Sequence, residues 1–317
     1  MHRLEVISKF FLALASSVFL FVSGISLPPL GVILLPFVAQ PVLMFGVKYG
    51  IGAGLGVLLV AIVLLVFLAT EELAVIYGIF ALMAGLLLAL LGRLRAIENL
   101  VVSVAATLLI MTASLSLHFY GSWEAMFSDF RETLTQQLAS AMRVQEKMGL
   151  SEDSVQMFKE RTPQIVEMML QLLPALLFLS FAFITLINIL YLGRRFPERR
   201  SQWFKLQYLR EWKGPEPLVW GLICCGFALF VPGLEAVRLV ALNLLLVIGA
   251  CYFGQGLAVI AYFFDKNKVP RFLRGMTYVL IIFQQIFTLL VVGLGLFDLW
   301  GDFRRLRKNN LTPSQAS

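Results

Sequence analysis

The sequence predicts an all-α protein, a polytopic bundle of eight or nine transmembrane helices with an amphipathic outer hairpin between spans five and six. Three observations carry that reading. Hydrophobic residues fill 59% of the 317 positions and charged residues only 14%, where a soluble domain carries roughly one quarter charged. The apolar residues fall into uninterrupted runs of about 18 or more, long enough to cross a hydrocarbon layer of roughly 30 Å as helices. The alternation that marks barrel strands is missing. Since an unpaired backbone amide in lipid costs several kcal/mol, a helix that satisfies its own amides is what such runs adopt.

Nine uncharged runs follow one another, at about 10–27, 30–47, 51–70, 73–92, 99–118, 169–191, 217–234, 240–264 and 276–297. The first follows His2, Arg3 and Lys9 in the manner of a signal peptide, but no small-residue cleavage site comes before the next run, so it counts as helix one. In the second, Pro36 and Pro41 release the carbonyls of Val32 and Phe37 from their helical bonds. Gln40 is an internal donor for them, and a polar ligand is the alternative. Gly46, Gly50 and Gly54 recur every fourth residue at the start of the third run, a stripe that lets helix backbones approach closely.

Residues 119–168 form the first long connector. There Trp123, Phe127, Phe130, Leu134, Leu138 and Met142 recur at spacings of three and four with charged residues between them, which predicts an amphipathic helix. Gly149 closes it, Ser151 caps a second short helix, and Pro163 ends that one, giving a hairpin on the outer membrane surface. The second connector, 192–216, mixes basic residues with Phe196, Trp203, Phe204, Tyr208 and Trp212, a composition suited to anionic lipid headgroups rather than nucleic acid. The chain thus divides into an N-terminal five-span bundle (1–118), the hairpin (119–168) and a C-terminal bundle of three or four spans (169–317). Pro232, Gly233, Gly249, Gly254 and Gly256 make 217–264 the region where a crossing is expected to fail.

Charge sets the orientation. With the N-terminus in the cytoplasm of a multi-pass inner-membrane protein, Lys48, Arg93, Arg95, the cluster Arg194 to Lys213 and the group Lys266 to Arg274 all lie inside. Glu71, Glu72, the hairpin and Glu235 lie outside. Nine crossings would leave Arg304, Arg305, Arg307 and Lys308 outside, so either one late segment does not cross fully or the tail departs from a rule that weakens towards the C-terminus.

The deep polar residues Gln40, Asn188, Asn243, Gln255, Gln284 and Gln285 are all uncharged, which counts against an ion-driven transporter with an intramembrane carboxylate. Interhelical bonding is one role for them. Ligand binding is the other, with Gln40, Pro41, Asn188, Asn243 and Gln255 as candidates. Only two histidines exist, and no nucleophile, zinc or cofactor motif is recognisable, so neither catalysis nor a cofactor is expected. Cys224, Cys225 and Cys251 read as small apolar side chains. Asp298, Asp302 and Arg305 beside Trp300 read as a surface stripe at an interfacial anchor. The expectation is a transporter-like or small-ligand-binding membrane subunit with a pocket between spans two, three and five. The alternative is a scaffold that recruits a protein through the basic connector or the hairpin.

Four stretches, taken in order, resemble the YybS-like family of bacterial membrane proteins. They are Pro41 to Gly56 (PVLMFGVKYGIGAGLG), Pro174 to Arg195 with Asn188, Trp212 to Trp220 (WKGPEPLVW), and Asn243 to Ala261 (NLLLVIGACYFGQGLAVIA) together with Gly295 to Arg304. The N-terminal half is similar to the substrate-binding subunits of energy-coupling-factor vitamin transporters. That resemblance implies a ligand near the outer face and a second membrane subunit or an ATPase as partner. It also implies docking through a small-residue stripe in helix one, where Ala13 and Ser17 offer the spacing.

Overall fold

The computed structural model describes residues 2–94, 96–147, 152–203 and 212–304. Its helices are α1 (His2–Ser26), α2 (Pro28–Leu34), a 3-10 turn (Leu35–Phe37), α3 (Gln40–Tyr49), α4 (Ile51–Leu68), α5 (Glu71–Leu90), α6 (Ile97–Tyr120) and α7 (Trp123–Lys147). They continue as α8 (Glu152–Arg195), α9 (Pro197–Trp203), α10 (Leu218–Ala228), α11 (Glu235–Lys266), α12 (Arg271–Phe283) and α13 (Gln285–Gly301). No strand forms among the described residues. Arg95, Gly149, Ser151, Phe204, Lys205, Tyr208, Arg210, Arg305, Arg307 and Lys308, which the sequence reading used, lie outside them.

Among the described residues seven helices, counting α2 through α3 as one, are long and apolar enough to cross a membrane, or eight if α12 and α13 form one bent span. Two expected spans are altered. Run 217–234 yields only α10, because the chain turns through Val231 to Leu234 with Gly233 at φ 79°. Run 276–297 is broken at Gln284, whose extended backbone sets α12 and α13 at 104° to each other. Run 240–264, expected to be fragile, is the uninterrupted 32-residue α11.

The chain forms two compact units, residues 1–170 with 176–205, and residues 171–175 with 206–317. In the first, Phe21, Val42, Leu43, Val57, Ala61, Ala84, Leu87, Leu100, Val104, Ile189 and Leu192 form one core. The large apolar side chains left outside, such as Leu59, Phe67, Ile110 and Phe183, belong against lipid, since a surface so apolar has no place in water. Thr70 caps α5 by accepting the amide of Leu73 at 3.3 Å, and Glu71 and Glu72 sit on the positive end of that helix. Gly121, at φ 73°, ends α6, and Ser122 starts α7 by accepting the Ala125 amide.

The hairpin forms, with a difference. Arg131 pairs with Glu167 at 3.0 Å and Met142 is buried. However, its second arm is not a separate short helix: α8 runs 44 residues through Pro163 and Pro174 into the span. A proline inside a span persists where neighbours bond the freed backbone groups, and beside Pro174 that neighbour is visible. Asn243 of α11 donates to Gln171 O at 2.8 Å and accepts from Ala175 N at 2.9 Å, so its amide bridges the pair that would otherwise bond directly.

Candidate functional site

In the first unit the proline-broken second span is held by side chains from three other helices. Ser17 of α1 donates to Val38 O at 2.8 Å, and its oxygen receives the Tyr77 hydroxyl of α5 at 2.9 Å. Asn188 of α8 donates to Pro36 O at 2.9 Å and to Ile184 O at 2.7 Å. Gln40 donates to the Asn188 carbonyl at 3.1 Å. Side chains therefore repair the break, but the carbonyls served are those of Pro36 and Val38 rather than the expected Val32 and Phe37, and Gln40 turns towards α8. Three buried oxygens in this cluster, Gln40 Oε1, Asn188 Oδ1 and Thr185 Oγ1, have no hydrogen-bond partner among the described residues.

A cavity of about 480 Å³ opens between α4, α5 and α6 of the same unit. Ile62, Val66, Ala74, Gly78, Ile79 and Leu108 form much of an apolar wall, with Glu71 and Thr112 as its polar members. The expected pocket was between spans two, three and five; this cavity lies on spans three, four and five. Gly78 leaves the space: a Cβ there would meet nothing within 4 Å. Val66 and Met111 on its wall are exposed, so the cavity is open rather than sealed.

Of the remaining candidates, Pro41 sits in the first turn of α3, while Asn243 and Gln255 lie in the second unit and are occupied there. Asn243 bridges α8 as described. Gln255 accepts from Gly214 N at 3.0 Å and donates to Asp298 at 3.2 Å. Asp298 in turn holds Arg304 at 2.6 Å with both side chains fully buried. The expected surface stripe of Asp298, Asp302 and Arg305 therefore fails at Asp298, which is buried in an ion pair with Arg304. The pair arises because Asp302, at φ 37°, reverses the chain after α13 and sends Arg304 back over its last turn, where it also donates to Trp212 O. Lys213 pairs with Asp302 at 2.8 Å. Residues 212–213 and 302–304 of this unit consequently lie together.

The glycine stripe resolves differently from its spacing. Gly46 is on α3 and Gly54 on α4, facing each other across a hairpin whose corner is Gly50, at φ 107°. Leu88 wedges against both, within 2.7 Å of where either Cβ would stand. A closer approach, unnoticed in the sequence, joins α11 to α13, where a Cβ on Gly295 would stand 1.9 Å from Tyr252 O. The docking stripe implied for helix one is not free, since Ala13 and Ser17 are both buried in the core. Phe196 and Trp203 of the basic connector also pack inward, and Arg199 donates to Val47 O at 2.5 Å. No three His, Cys, Asp or Glu side chains converge among the described residues.

Thr185 could have been found by its place one turn before Asn188 on α8, and Arg304 by its reach back to Asp298. Ser17 was singled out only for its small-residue spacing from Ala13, which says nothing of its bond to Val38 O.

From residue 15 to residue 299 the chain matches a family described as a predicted membrane protein, DUF2232. No curated protein and no solved structure matches it.

Proposed function

Since the chain belongs to the DUF2232 family of membrane proteins, we propose that it is a membrane-embedded binding subunit for a small apolar or amphiphilic molecule, acting by binding rather than by catalysis. The cavity between α4, α5 and α6 carries this reading. Its volume, about 480 Å³, falls within the roughly 300–1,000 Å³ of small-molecule sites, as does its pattern of apolar walls with few polar groups. Glu71 and Thr112 suit a hydroxyl or amine at one end of the ligand, and the open flank gives entry from the bilayer. Charge in the connectors supports a bacterial inner-membrane location with the N-terminus in the cytoplasm and Glu71 near the outer face. A second membrane subunit or an ATPase would supply energy if the protein serves transport.

The test is thermal unfolding of the purified full-length protein against vitamins and amphiphilic metabolites. A ligand at a hundred-fold excess over its Kd adds about 2.7 kcal/mol. Gly78→Leu, which fills the cavity, should remove that response. A flat response to every compound, with a protein partner co-purifying, would replace this reading with that of a recruiting scaffold.

A further inference from the structure

We propose that the first unit holds a small monovalent cation beside its broken second span, bound by Gln40, Thr185 and Asn188. The three residues form one neighbourhood. Gln40 reaches the Asn188 carbonyl at 3.1 Å, and Thr185 precedes Asn188 by three positions, on the same face of α8. Both amide groups are oriented by their donors, Gln40 Nε2 on Asn188 O and Asn188 Nδ2 on Pro36 O and Ile184 O. What they leave over is oxygen. Gln40 Oε1, Asn188 Oδ1 and Thr185 Oγ1 are buried without a partner among the described residues, and the side chains of Thr185 and Asn188 are fully enclosed.

An occupant of that space must bring positive charge or hydrogen-bond donors. Amide and hydroxyl oxygens are the ligands that hard cations take. No carboxylate takes part, so a divalent ion would find no charge to balance it and a monovalent ion fits better. This inference is independent of the apolar cavity, because the site lies on other residues and is read without any organic ligand.

The experiment follows the thermal midpoint of the full-length protein in detergent at fixed ionic strength, with sodium, potassium, lithium or ammonium replacing choline. The wild type should show a saturable rise with at least one of the small ions and none with choline. Thr185→Val keeps the shape and removes an oxygen that bonds nothing else, and should weaken the apparent affinity at least ten-fold. Thr185→Ser, which restores the oxygen, should return it. Ser180→Ala, on the same helix but with its hydroxyl on Leu176 O, should respond as the wild type does. A midpoint indifferent to the choice of cation would mean that water alone fills the space and would overturn the proposal. So would a Thr185→Val response equal to that of the wild type.

Discussion

The contact between α11 and α13 is tight enough to make a single methyl group decisive. A Cβ on Gly295 would lie 1.9 Å from Tyr252 O and 2.7 Å from Gly256 N, and one on Gly256 would lie 2.0 Å from Val291 O. Close helix pairs tolerate carbon to carbonyl-oxygen contacts of about 3.3 Å. The helices must therefore separate locally by about 1.4 Å, the difference between about 3.3 Å and the 1.9 Å available. Overpacking costs about 1–3 kcal/mol. The obstacle here is backbone, which cannot rotate away, so the upper end applies: about 3 kcal/mol for Gly295→Ala and a similar loss for Gly256→Ala. The gap also forfeits dispersion along the interface, which matters because packing, not the hydrophobic effect, joins helices in lipid. Both substitutions open the same gap, so the double variant should lose less than the sum. Gly249 and Gly275 would meet nothing within 4 Å, and their alanine variants should gain up to about 1 kcal/mol from helix propensity. Reversible denaturation in mixed micelles, followed by far-UV circular dichroism, measures all five variants. If Gly295→Ala matches the wild type, or Gly249→Ala harms as much, the reasoning fails.

Three further perturbations probe other joints. Asp298→Ala leaves the enclosed Arg304 guanidinium without its carboxylate, and the same denaturation assay should show a loss of about 3–5 kcal/mol; a loss under 1 kcal/mol would mean the pair is hydrated. Asn243→Ala strips the bridge from Gln171 O and Ala175 N and should cost about 1–3 kcal/mol, with Asn243→Asp in between because it keeps the acceptor. Gly50→Ala, at φ 107° with open space around it, should cost about 1–3 kcal/mol through backbone strain alone, whereas Gly52→Ala, helical and equally unobstructed, should not; equal midpoints for the two would contradict this.

The helical class was readable because a long apolar run leaves the backbone no other way to satisfy its amides in lipid. Runs such as 51–70 and 99–118 became α4 and α6 almost as bounded. Breaks were harder to place. Pro163 reads as a stop, yet α8 continues through it; of the glycines and prolines that marked 217–264 as weak, Pro232 and Gly233 do fall at a break, whereas α11 runs through Gly249, Gly254 and Gly256, and a second break came at Gln284, which carries no breaker signal. Spacing also misled at Gly46, Gly50 and Gly54. A period of four implies one helical face, but the positive φ at Gly50 folds that face back on itself. At the site, Gln40 and Asn188 were legible as deep amides, while their being joined was not, since 148 residues separate them. Asp298 and Arg304 looked like surface groups because nothing in the local pattern shows that the chain reverses at Asp302.

The ligand-binding reading rests on the cavity being occupied in the living membrane, and native mass spectrometry of the purified full-length protein tests it most directly. A small apolar or amphiphilic molecule should travel with the wild type near one per chain and be absent from Gly78→Leu, whose stability is unchanged or raised by about 1 kcal/mol. Equal bound mass on both proteins, or none on either after mild extraction, would contradict the account.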